Sequence, residues 1–131
     1  MLIKQLSVFL ENRAGRTKEV TQCLATNGIN IKAFSMADRD EFGMLRLVVD
    51  NVDKAVDVLN KAGFATVLTD VVSVQCANET GSLASLMGIL ADSNISVEYM
   101  YAVQDTNVSR AIIRPSDLNA CVQALKLFGL E

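Results

Sequence analysis

The chain has 131 residues, half of them apolar, with a formal net charge of −3 and no histidine. An acidic balance argues against a nucleic-acid surface, which normally carries a basic field. The missing imidazole excludes any His-based triad and the commonest transition-metal ligand.

In chain order, Ile3–Leu10 reads as a short apolar strand. The turn ENRAG (Glu11–Gly15) follows, then a helix with Val20, Cys23 and Leu24 on one face. Gly28 in TNGIN is a helix C-terminal signal. A strand over Ile29–Ala37, a polar loop DRDEFG and a strand over Met44–Val49 come next. Asp50 or Asn51 can cap a second helix, whose stripe is Val52, Ala55, Val56 and Leu59 and which stops at Gly63. Phe64–Leu68 reads as a fourth strand.

The succession then begins again. Val71–Cys76 is a strand, ANETG (Ala77–Gly81) a turn, and Leu83, Leu86, Met87 and Leu90 the stripe of a helix. Asn94 takes the place of Gly28, and Asn tolerates the same left-handed backbone. Strands over Ile95–Val103 and Arg110–Ile113 flank the loop QDTNVS. Ser116 or Asp117 can cap the last helix, with its stripe Leu118, Cys121, Val122 and Leu125 and its stop at Gly129. The second repeat has no fourth strand before Glu131, so that strand is either vestigial or an edge borrowed from elsewhere.

At an offset of 66 residues the halves align without a gap from Lys4/Asp70 to Ala65/Glu131. Identical columns include Ser7/Ser73, Val8/Val74, Leu24/Leu90, Ile29/Ile95, Leu59/Leu125 and Gly63/Gly129. The expected domains are therefore residues 1–69 and 70–131. Each reads β-α-β-β-α-β, and two right-handed βαβ units give a four-stranded antiparallel sheet with both helices on one face. The expected fold is α+β: two tandem ferredoxin-like sandwiches.

Asn-x-x-Gly ends the first strand of both repeats, as Asn12 with Gly15 and Asn78 with Gly81. Glycine there lets another group approach the backbone. The first-turn amides of a helix lack intrahelical partners and, with the helix dipole, favour an anion such as a carboxylate. The Asn amide adds a donor and an acceptor, which together suit a zwitterion. The competing account is structural: Asn caps the helix and Gly relieves strain. Alternation places Tyr99 and Tyr101 on one sheet face and Met100 on the other, as ordinary sheet packing or at an interface or ligand pocket. Arg46, among apolar neighbours, is either an outward-facing residue or a carboxylate clamp. The acidic loop Asp38–Glu41 lacks Ca²⁺-loop spacing and reads as a solvated hairpin. Cys23, Cys76 and Cys121 sit at apolar positions without CxxC spacing, as small buried residues of a reducing compartment do.

The stretch FLENRAGRTKEVTQCLATNGINIKAFSMAD resembles the ACT domain, the small-molecule-binding regulatory module of amino-acid-metabolism enzymes. It is similar to the regulatory domain of phosphoglycerate dehydrogenase, whose E-N-x-x-G, helix and G-[VI]-N-I are matched by Glu11, Asn12, Gly15, Gly28, Ile29, Asn30 and Ile31. The resemblance covers both repeats and is similar to the stand-alone tandem ACT proteins of prokaryotes. It implies paired sheets set side by side, with an amino acid or related small carboxylate bound between two domains. Asn12, Arg13, Ala14 and Gly15 would form the turn, and Asn30 and Ile31 the facing strand. The second repeat offers Asn78, Gly81, Ser96 and Val97. Ala14 departs from the usual Pro, and Ser96 stands where Asn30 stands, so the two sites are expected to be unequal.

The reading is thus a non-catalytic sensor that regulates a partner protein or pathway of amino-acid metabolism, an enzyme of that metabolism being one such partner, with no catalytic residues, cofactor or metal. The alternative is a ligand-free ACT-type interaction module. An acylphosphatase-like enzyme fits Asn12 and Arg13 only superficially, because Glu79 replaces Arg13 in the second repeat. We expect a homodimer with no nucleic-acid or membrane partner. The N-terminus MLIKQLSVFLEN lacks the regions of a signal peptide and no apolar run approaches the roughly 20 residues that span a bilayer, so the expected location is the cytoplasm.

Overall fold

The computed structural model of the chain describes residues 1–39, 41–105 and 108–130. Asp40 of the first polar loop, Thr106 and Asn107 of the second, and Glu131 lie outside the described residues. The elements are β1 (Leu2–Glu11), α1 (Arg16–Thr26), β2 (Ile31–Arg39), β3 (Phe42–Val49), α2 (Val52–Lys61), β4 (Ala65–Gln75), α3 (Ser82–Asp92), β5 (Val97–Asp105), β6 (Val108–Pro115) and α4 (Leu118–Leu127). The chain divides into two compact units, Lys4–Thr69 and Met1–Ile3 together with Asp70–Glu131.

In the first unit the strand order is β2-β3-β1-β4. β3 runs antiparallel to both neighbours, with Leu6 opposite Leu47 and Phe34 opposite Leu47. Alternation sends Leu6, Val8, Leu10, Leu45 and Leu47 to one face, where Val20 and Leu24 of α1 and Ala55 and Leu59 of α2 meet them. All nine are buried. Gln5 and Ser7 are also buried, and the Gln5 Nε2 amide donates to the Ser7 hydroxyl at 3.4 Å.

The second unit repeats this core. Val72, Val74, Ala111 and Ile113 of β4 and β6 meet Leu86 and Leu90 of α3 and Cys121, Ala124 and Leu125 of α4. The core columns of the two repeats coincide, so the duplication is written in the buried residues more clearly than in overall identity. The order is β4-β6-β5. The edge that the second repeat does not supply comes from the chain's own start: Met1–Ile3 belong to this unit, and the Ser73 N–H donates to the Met1 carbonyl at 2.6 Å.

Two expected strands, Phe64–Leu68 and Val71–Cys76, are one continuous strand, β4. Thr69 and Asp70 contain neither Gly nor Pro, so nothing local breaks the extended chain. β2 and β5 begin two residues later than expected, because Ile29 and Ile95 still belong to helix ends. The Ile29 N–H donates to the Leu24 carbonyl and the Gly28 N–H to the Ala25 carbonyl, each at 3.0 Å. This is a Schellman motif, with Gly28 at φ 71°. Asn94, at φ 57°, closes α3 in the same way.

The second-helix caps resolve the two choices that the sequence left open. The Asn51 side chain accepts from the Lys54 N–H at 3.2 Å, and Asp117 accepts from the Ala120 N–H at 2.9 Å. The cysteines are free thiols; Cys121 is buried, whereas Cys23 and Cys76 are only half-buried. No helix among the described residues is long and apolar enough to cross a membrane.

Candidate functional site

The two Asn-x-x-Gly turns have the same geometry. Gly15 and Gly81 are the N-cap residues of α1 and α3, at φ 92° and 87°. No side chain caps either helix, so the structural account of the turn fails in one part: Asn12 and Asn78 are not caps. The glycines are required by their left-handed backbone rather than by crowding. A Cβ built on either would have no neighbour within 4 Å. The space beside each glycine is open, and among the described residues the amides of Thr17 and Lys18, and of Leu83 and Ala84, receive no side-chain cap.

Asn12 is held from two sides. Its N–H donates to the Glu41 carbonyl at 2.9 Å, and its side-chain amide donates to an Asp38 carboxylate oxygen at 3.3 Å. Among the described residues no group donates to its side-chain oxygen. Arg13 turns back onto Glu11, with Nε 3.0 Å from the carboxylate, in an exposed pair of small energetic weight. Ala14 is exposed beside it. Arg16 pairs with Glu19 and lies over the Phe64 ring, 4.6 Å from its centroid. Among the described residues the second turn has no ion pair equivalent to Arg13–Glu11 or Arg16–Glu19, since Glu79 replaces Arg13 and Ser82 and Ser85 replace Arg16 and Glu19. The first turn of α3 carries no acidic residue, whereas that of α1 carries Glu19.

Asn30 and Ser96 occupy equivalent braces. The Asn30 N–H donates to the Asp50 carboxylate at 3.1 Å, and the Asp50 N–H returns to the Asn30 carbonyl at 3.1 Å. The Ser96 N–H donates to the Ser116 hydroxyl at 3.1 Å, and the Ser116 N–H returns at 2.9 Å. Both side chains are exposed. Ile31 and Val97 are half-buried and pack against the cores of their units.

Within a unit the turn and this brace stand at opposite ends of the sheet. Glu11 and Arg39 are both level with Phe42, while Ile31 is level with Val49. The intervening length of β3 is roughly 23 Å at strand rise. One unit therefore brings Asn12 to Asp38 but does not bring Asn12 to Asn30, and the same holds for Asn78 and Ser96.

A cavity of about 400 Å³ lies beside the second turn, walled by Asn78, Glu79, Leu83, Met100, Ala102 and Ala111 among others. The sequence placed Leu83 in the core stripe; it is instead 45% exposed. Periodicity identifies the face of a helix but not how far the sheet beneath it reaches. Met100 and Ala102 lie opposite Ile113 and Ala111, on the helix-bearing face, while Tyr99 and Tyr101 lie opposite Arg114 and Ile112 on the other. Arg110 turns away from the cavity's helix-bearing face: its Nε donates to the Ser73 hydroxyl at 2.8 Å and its second guanidinium nitrogen to the Ser73 carbonyl at 3.0 Å. Arg46 lies opposite both Ser7 and Ser35 and is half-buried.

Among the described residues, no three His, Cys, Asp or Glu side chains converge as a metal site requires. Burial, and then the Asp117 carboxylate, push the Cys121 thiol pKa up. A buried thiol held protonated is a poor nucleophile.

Comparison with known proteins identifies the scaffold. The solved structure of protein BT0572 from Bacteroides thetaiotaomicron is 42% identical, with a TM-score of 0.94, and the match covers 100% of this chain and 91% of that one. The ligand-free regulatory subunit of aspartate kinase from Thermus thermophilus shares the fold at 16% identity and a TM-score of 0.68, over 97% of this chain and 96% of that one. The corresponding subunit from Thermus flavus is 18% identical with a TM-score of 0.63, over 97% and 94%. No curated protein matches the sequence. The family model of the ACT domain pair matches residues 1–124, so the chain belongs to the family of ACT domain pairs.

Proposed function

We propose that this ACT domain pair is a non-catalytic sensor. It binds an amino acid, or a related small carboxylate, at an Asn-x-x-Gly turn and passes its occupancy to an enzyme of amino-acid metabolism. The observation that carries this reading is the paired, uncapped helix start: open space over Gly15 and Gly81, and first-turn amides without a side-chain cap. Such amides and the helix dipole favour a carboxylate. The regulatory role draws support from the aspartate kinase regulatory subunits that share the fold.

In the fuller form of the proposal, Asn12, Arg13, Ala14 and Gly15 meet the carboxylate, and Asn30 and Ile31 of another ACT unit close the site, Ile31 through its backbone. Asn78, Gly81, Ser96 and Val97 do the same in the second repeat. The separation of Asn12 from Asn30 within a unit supports drawing the two from different units, since no amino acid spans it.

The test is a thermal-shift screen against the twenty amino acids. A ligand that binds only the folded chain raises Tm by mass action, by about 2.7 kcal/mol of stability at a hundredfold excess over Kd. A shift with one amino acid or a chemically related set is expected. No shift at millimolar concentrations would favour the interaction-module reading, which Phe34 supports: it is 72% exposed on the edge strand β2.

A further inference from the structure

The two repeats differ beside their turns in a way that points to ligand class. In the first repeat the Met36 side chain lies across Gly43, and its Cε would sit 2.6 Å from a Cβ built there. Leu45 is buried beneath, 3% exposed. The equivalent positions of the second repeat are Ala102, Ser109 and Ala111, and all three line the cavity. Two large side chains have become alanines, and the space they would fill is the cavity. In the opposite sense, the exposed polar Thr17 has become Leu83, which forms one wall.

The exchange leaves a chemically divided site. Leu83, Met100, Ala102 and Ala111 make an apolar wall. Asn78 and Glu79 stand at its turn end, and Glu79 is an acid where the first repeat has Arg13. The cation on the lining, Arg110, is bound to Ser73. A carboxylate at Glu79 suits an ammonium group, the open start of α3 suits a carboxylate, and the alanine-lined space suits an apolar side chain.

We propose that the second repeat is the selective site of the pair and takes an α-amino acid with an apolar side chain, seated between Leu83, Met100 and Ala102. This rests on the sensor reading above and adds the ligand class and the repeat that recognises it. Each methylene seated in an apolar pocket discriminates by roughly 10- to 200-fold.

The experiment titrates the full chain with leucine, methionine and phenylalanine, and separately with serine, aspartate and lysine, by calorimetry. The same titrations are run on Ala102→Met, which puts a long side chain into the cavity; Ser109 carries a Cβ where Gly43 has none, so this side chain obstructs the cavity without lying as Met36 does. Ala102 is exposed, so the variant should keep its unliganded Tm; Ala102→Val serves if it does not. The expected result is binding of at least one apolar amino acid at least about tenfold tighter than serine, aspartate or lysine, and a loss of about tenfold or more in Ala102→Met. Tightest binding of a polar amino acid would overturn the ligand class and leave the sensor reading standing. Equal binding of an apolar amino acid to Ala102→Met would overturn the cavity as its seat. No binding of leucine, methionine or phenylalanine would overturn the ligand class, and only a failure of the twenty-amino-acid screen as well would count against the sensor reading.

Discussion

Replacing Gly81 by Ala isolates what the turn glycine does. Its φ is 87° and its ψ −7°, and an added Cβ would meet nothing within 4 Å. The steric contact cost is therefore nil, and only backbone terms remain. Forcing an L-residue into the left-handed region costs about 1–2 kcal/mol. The reduced freedom of the unfolded chain returns about 0.4–1 kcal/mol. The net loss should be about 1 kcal/mol, or roughly 4–8 °C in Tm for a unit of this size. Gly81→Asn should lose less, because Asn tolerates this conformation and Asn94 already adopts φ 57°. Urea unfolding at 25 °C followed by circular dichroism measures both. A gain of stability in Gly81→Ala would mean that the turn is not left-handed. A loss above about 3 kcal/mol would mean that the space over the turn is occupied, and the argument for an open ligand approach would fail.

Three further outcomes follow from the same structure. Asn51→Ala and Asp117→Ala each remove a side-chain cap and should each lower stability by about 1 kcal/mol in urea unfolding. Leu59→Ala, at a position with no exposure, should cost about 3–5 kcal/mol by the same measurement, within reach of unfolding the first unit. The raised Cys121 pKa gives a signed pH effect. The folded state holds the thiol proton more tightly than the unfolded chain, so this contribution is complete below the ordinary thiol pKa. It is lost as pH rises through the raised folded value. Stability measured from pH 7 to 10.5 should therefore fall more steeply in the parent than in Cys121→Ala.

The fold was legible where it rests on local periodicity. The stripes of α2 and α4 reach the core because residues three and four apart share one helix face, and Gly28 and Asn94 signal the helix ends through the backbone they permit. The missing fourth strand was not legible, because its replacement by Met1–Ile3 is a pairing across some seventy residues of chain, and no local pattern marks it. Nor was the continuity of β4, since two strands meeting without a breaker look the same as two strands in register. At the turns, the sequence located Asn12, Gly15, Asn78 and Gly81, but it could not show that the amide of Asn12 goes to Asp38 and leaves the helix uncapped. The cavity had a signal that was not read: Met36/Ala102 and Leu45/Ala111 are large-to-small exchanges in adjacent positions of the paired strands. Comparing side-chain volume between the repeats, and not only identity, would have found it.

The most direct test of the central claim is a two-dimensional amide NMR titration of the full chain with each of the twenty amino acids, read at Thr17, Lys18, Leu83 and Ala84. These are the first-turn amides proposed to hold a ligand carboxylate. At least one amino acid, at up to millimolar concentration, should shift the amides of one turn saturably, with the larger response at Leu83 and Ala84. Saturable shifts confined to other regions, or none with any amino acid, would contradict the claim.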